Sequence, residues 1–136
     1  MAFSCQYGVM NYRINPRTIH PPAAKYSHAV LSTGFEKILH SSGVVPVDSE
    51  GITPEHIGDQ ANLIWKNIGE ILSEAHMEVS DIVEVTTYVV NNRDLQVVME
   101  SRDAHLKGHR AASTLVTVSE LAQEQWKMEI SIVAVK

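Results

Sequence analysis

Three short stretches of this 136-residue chain hold side chains suited to chemistry, and each stands at or inside a strand-like run. The hexapeptide HRAAST, His109 to Thr114, follows a helix-ending glycine, Gly108, and leads into Leu115-Val116-Thr117-Val118. A loop that hands a helix over to a strand is a usual place for a binding site. This one has a single fixed cation, Arg110, near its start, and two hydroxyls, Ser113 and Thr114, at its end. Ser41-Ser42-Gly43 closes an apolar strand, where small hydroxyl residues and a glycine let a ligand approach the backbone; a strand bend explains the same residues equally well. In KMEISIVAV, Glu129 stands near the middle of a strong strand. It reads either as a solvated strand residue or as a carboxylate that binds or deprotonates water at a partly buried cleft.

Other chemistries find no support. Eleven Lys and Arg against sixteen Asp and Glu give 11 − 16 = −5, and the positives are scattered singly, so no nucleic-acid surface is expected. Of seven histidines, His105 and His109 lie four apart, but Gly108 interrupts the helix between them. No HExxH, GxGxxG, GxxxxGK[ST] or GxSxG occurs, so no metal site is expected and nucleotide-binding and serine-hydrolase readings lapse. Cys5, the only cysteine, reads as a plain thiol near the N-terminus, which suits a reducing compartment. MAFSCQYGVMNYR lacks the pattern of a signal peptide, and no apolar run approaches the ~20 residues of a membrane span. A cytoplasmic, soluble chain is the expectation.

The elements that must position these residues follow from pattern. No linker or repeat divides the chain, so one domain over 1–136 is expected, with residues 1–20 an irregular extension holding at most one short strand. His28 to Leu31 and Lys37 to Val45 read as strands joined around Ser32-Thr33-Gly34. Thr53 and Pro54 suit a helix start, and Ile57, Ala61, Ile64, Ile68, Ile71 and Ala75 form one apolar stripe. From Asp81 to Val90 a strand would turn Val83, Val85, Thr87 and Val89 one way and Glu84, Thr86 and Tyr88 the other. Asn91 or Asn92 suits the cap of a second helix carrying Leu95, Val98, Met99, Arg102 and Leu106. Ser113 to Ser119 and Lys127 to Val135 complete an α+β layer with both helices on one sheet face. In the last strand Met128, Ile130, Ile132 and Ala134 suit the helices. The opposite face mixes Val133 and Val135 with Glu129 and Ser131, which suggests a subunit interface or a cleft lined by another chain.

Five blocks in order, PAAKYSHAV, HSSGVVPVD, DIVEVTTYVV, HRAASTLVTVSEL and KMEISIVAV, resemble the RidA family, also called YjgF/YER057c/UK114, over about residues 20–136. The resemblance implies a chorismate-mutase-like α+β fold assembled as a homotrimer, with small-molecule clefts between subunits. It also implies cofactor-free hydrolysis of reactive imines and enamines to a carbonyl compound and ammonia. Carried over residue by residue, Tyr26 matches the cleft tyrosine, Ser42 the serine beside the substrate, and Glu129 the carboxylate that orients the attacking water.

The HRAAST loop departs from that pattern. Aligned on Val116-Thr117-Val118, the arginine that grips the substrate carboxylate in the archetype falls at Ser113, and the archetype's cysteine falls at Leu115. Arg110 stands three residues upstream, a span of about 10 Å if extended. Arg110, Ser113 and Thr114 are therefore the substrate-binding candidates of this loop. Two readings stand side by side: a deaminase whose substrate is not 2-aminoacrylate, and a trimeric small-molecule-binding or interaction protein that keeps the cleft without catalysis. The endoribonuclease activity of some relatives fits poorly with a net charge of −5.

Overall fold

A computed structural model describes residues 8–91 and 94–136. Cys5 and Asn92, considered above as a thiol and a helix cap, lie outside the described residues. The chain runs β1 (Met10–Ile14), β2 (Ala29–Thr33), β3 (Ile38–His40), α1 (Ile57–Glu74), β4 (Ile82–Val90), α2 (Leu95–Leu106), β5 (Ala112–Val118) and β6 (Met128–Val135). The strands β3, β6, β4 and β5 form one mixed sheet in that order, with β4 and β5 parallel and the other pairs antiparallel. Both helices pack their buried side chains on one face of it, in a single core with Val85, Val89, Met128, Ile130, Ile132 and Ala134. The α+β architecture expected from the element order is the one observed.

Packing moves several expected details. The α1 stripe centres on Ala61, Ile64, Trp65, Ile68 and Leu72, while Ile71 is 37% exposed. Each large side chain taken out of water in this way contributes about 1.5–3 kcal/mol. The helix begins at Ile57 behind His56, not at Pro54, and Asp94 rather than Asn91 caps α2. In β4 the pairing with β6 shifts register between Ile82 and Glu84, so Ile82 takes the inward place that strict alternation assigns to Val83. The strands β2 and β3 are not a hairpin. β2 pairs with β1 in a separate two-stranded sheet, so the N-terminal extension contains a paired strand, and β3 pairs with β6. The Met10, Tyr12, Ile14 and Leu31 face of the β1–β2 pair is exposed. No described helix is long and apolar enough to cross a membrane.

One buried polar residue fixes where β6 begins. Gln60, fully buried in α1, donates from Nε2 to the carbonyls of Pro54 (2.8 Å) and Gln125 (2.9 Å), and its Oε1 accepts from the Lys127 N–H (2.8 Å). Both donors and the oxygen of that amide are engaged, as burial demands. Glu129 follows two residues later, so this helix side chain helps to set the height at which the carboxylate leaves the sheet.

Candidate functional site

On the face away from the helices, register places Glu129 of β6 directly opposite Tyr88 of β4, and Tyr88 opposite Val116 of β5. The next row is Ser131, Thr86 and Thr114, three hydroxyls side by side. Glu129, Tyr88 and Ser131 are half-buried. This is the mixed face noted in the sequence, and its polar part is continuous across three strands.

The other flank of Glu129 is the end of β3, where the expected strand Lys37 to Val45 does not run through. The Ser41 N–H donates to the Ile132 carbonyl (3.0 Å), and Val44 exchanges hydrogen bonds with Ile130 (2.6 and 3.1 Å). Between them Ser42 and Gly43 oppose Ser131 alone, two residues against one, which makes a bulge. The Ile132 N–H is satisfied by Ser41 Oγ (2.8 Å) instead of a carbonyl. Ser42 is exposed on the bulge, and Gly43 lies against the Glu129 side chain. A Cβ on Gly43 would overlap Oε1 and stand 2.5 Å from Cδ and 2.9 Å from Cγ. Both residues expected to be catalytic, Ser42 and Glu129, therefore come together at one sheet edge. An open groove of about 470 Å³ adjoins Ser42 and Gly43, lined by the 40–45 segment with Val47, Asn67 and Ile71; Glu129 is not part of its lining. A hollow of about 520 Å³ between Val90, the 119–124 loop and Trp126 contains none of the candidates.

Tyr26, Arg110, Ser113 and Thr114 gather at the opposite edge. Ser27, 1% exposed, bridges to Ala112 in parallel fashion. Its N–H donates to the Ala111 carbonyl (3.0 Å) and its hydroxyl to the Arg110 carbonyl (3.0 Å). This clasp holds the HRAAST loop beside Tyr26, whose half-buried ring stands edge-on to His28 at 6.3 Å. The Arg110 side chain is exposed. Ser113 shares a row with Val85 and Ile132, so it sits on the helix face, opposite to Glu129; Thr114 shares Glu129's face. With strands spaced about 4.8 Å and residues about 3.3 Å, Thr114 stands roughly 12 Å from Glu129 and Ser113 roughly 14 Å. Arg110 is farther still. Within one chain the carboxylate and the loop do not meet.

Sequence reasoning missed Ser27 and Tyr88 as parts of these two clusters, and it read Gly43 as a point of ligand approach where the structure seats Glu129. It also missed His28, whose Nδ1 is buried with no hydrogen-bond partner among the described residues. The two histidines weighed as metal ligands face backbone: His105 Nδ1 lies 2.8 Å from the Ser101 carbonyl and His109 Nε2 lies 2.6 Å from that of Ile82.

Comparison with known proteins adds identity to this geometry. The family model described as Endoribonuclease L-PSP matches residues 18–136. A RutC family protein of Aquifex aeolicus is 34% identical over 118 residues, covering 85% of this chain and 91% of that protein. The 2-iminobutanoate/2-iminopropanoate deaminase of Rattus norvegicus is 28% identical over 123 residues, covering 88% and 87%. Among solved structures, the Rid-family protein YyfB of Yersinia pestis superposes with a TM-score of 0.82 at 27% identity, covering 93% of this chain and 98% of that one.

Proposed function

The chain belongs to the Endoribonuclease L-PSP family, the RidA/YjgF proteins, and from that premise we propose that it hydrolyses a reactive imine or enamine to a carbonyl compound and ammonia. The observation that carries this reading is the seat of Glu129. Its carboxylate is half-buried, held by contact with the Gly43 backbone, and faces the surface that carries Tyr88. Such a carboxylate takes a proton from a bound water while the hydroxide adds to the imine carbon. The resulting carbinolamine collapses as nitrogen leaves with a proton, so that imine plus water gives carbonyl plus ammonia. An imine carbon is already electrophilic, and positioning with one proton acceptor is enough.

The complete site is an inter-subunit cleft of a homotrimer, with the bulge and Glu129 of one copy facing the HRAAST edge of the next. The separation of the two clusters within one chain supports this, as does the mixed outer face of β6. Ser42 lies beside the substrate; Tyr26, Arg110 and Thr114 line its far side, and Ser113 approaches it from the helix face round the edge strand β5. Because a neutral hydroxyl at Ser113 replaces a forked cation, the substrate is one other than 2-aminoacrylate. Ammonia release from a panel of imines differing in size and in the presence of a carboxylate tests the reading, the 2-imino acids being generated in place by an amino-acid oxidase and the carboxylate-free imines by an amine oxidase. Turnover of at least one larger or uncharged imine, with little on 2-aminoacrylate, is expected. No ammonia release above the uncatalysed rate for any of them would leave a binding protein of the same fold.

A further inference from the structure

We propose that Gly43 is a positioning residue for Glu129: the missing side chain of the glycine is the space that the carboxylate occupies. The inference rests on the reading of Glu129 as the water-activating group. Three observations carry it. A Cβ at Gly43 would overlap Glu129 Oε1 and crowd Cδ and Cγ at 2.5 and 2.9 Å, whereas at Gly8 and Gly69 it would meet nothing and at Gly58 only Val97 Cγ1 at 3.3 Å. The backbone does not ask for glycine here. Gly34, Gly51 and Gly108 have φ of 69°, 82° and 84°, while Gly43 is outside that left-handed region. An alanine at 43 is thus free of left-handed backbone strain, and the three atoms its methyl would meet most closely all belong to Glu129.

Third, the bulge is pinned on both sides. The Ser41 N–H and Oγ hold Ile132, and Val44 is paired in both directions with Ile130. A methyl group at position 43 cannot be relieved by retreat of the backbone without breaking those bonds, so the carboxylate must move. Gly43 touches Glu129 and acts on the reaction only through it. A misplacement of about 1 Å in a catalytic group lowers rates on the order of a hundredfold.

The test compares wild type, Gly43→Ala, Glu129→Ala and the double variant. Thermal unfolding is measured at equal protein concentration, and steady-state kinetics use the imine turned over fastest. Gly43→Ala is expected to lower kcat about a hundredfold while KM moves less than about threefold. In the wild-type background it should lower the unfolding midpoint. In the Glu129→Ala background, where nothing occupies the seat, the same change should leave the midpoint unchanged or raise it, because alanine restricts the unfolded chain. Equal midpoint shifts in the two backgrounds overturn the proposal, and so does a wild-type kcat in Gly43→Ala. If the wild type turns over no imine, the catalytic reading falls alone, and the unfolding comparison still decides whether Gly43 seats Glu129.

Discussion

At the β3 edge the sheet bulges to seat a carboxylate, whereas at the β5 edge it borrows residues 26–28 from the N-terminal segment. The first cluster is made by the sheet's own backbone, through Ser41, Val44, Ile130 and Ile132, with the Gln60 amide fixing the entry to β6. The second depends on one buried serine hydroxyl and one backbone bridge. An enzyme of this kind needs the water-activating group preset and the substrate-gripping side adaptable. On the proposed reading, a change of substrate would fall on the clasped edge, where the exposed Arg110 stands.

The comparison breaks most completely if the two edges never meet. A mass of 15.1 kDa in solution at micromolar concentration would leave each edge alone and remove the cleft; light scattering should instead give three times that mass. Next in size is Glu129→Gln, which keeps shape but cannot accept the proton. Ammonia release should fall by roughly 10²–10⁴-fold with assembly unchanged, and full turnover in that variant would assign Glu129 to the solvated strand. Installing the missing cation sharpens the second edge. Because β5 is the edge strand, the long side chain of Ser113→Arg can pass round it from the helix face, and it should lower KM for carboxylate-bearing imines by about tenfold or more, since a charge-assisted hydrogen bond is worth about 1.5–3 kcal/mol. Robust wild-type activity on those imines that Arg110→Ala abolishes would place the anchor three residues upstream. Ser27→Ala should cost about 1–2 kcal/mol in urea unfolding, with turnover of carboxylate-free imines nearly preserved. The smallest effect belongs to Tyr88→Phe, which retains the ring opposite Glu129. Less than about a threefold change in kcat is expected, and a larger loss would show that the hydroxyl takes part in the proton path.

Alternation made much of this legible in advance. The Met128, Ile130, Ile132 and Ala134 face lies in the core as the period-two pattern requires, and the α+β class follows from element order. What local pattern could not supply came from distant partners. Val83 lost its inward place to Ile82 because a register shift against β6 intervened. The run from Lys37 to Val45 looked continuous because its interruption is set by Ile130 and Ile132 on β6. Ser27 is an unremarked serine until its partner, 83 residues away, is known. Gly43 was noticed as a place where something comes close; that the something is Glu129 required the fold. At the candidate site, the types of the residues were readable, and their division between two edges was not.

The strand that bears Glu129 is the last of the described strands in sequence, yet it lies between β3 and β4 in the sheet. During synthesis β4 and β5 can pair through the α2 crossover, but β3 has no partner until residues 128–135 have been made. Sheet closure is therefore a late, long-range event, of the kind that slows folding and leaves strand edges open to wrong partners while it is awaited. A chain cut short before Met128 would leave β3 and β4 without the strand that joins them, and the sheet would lose its continuity.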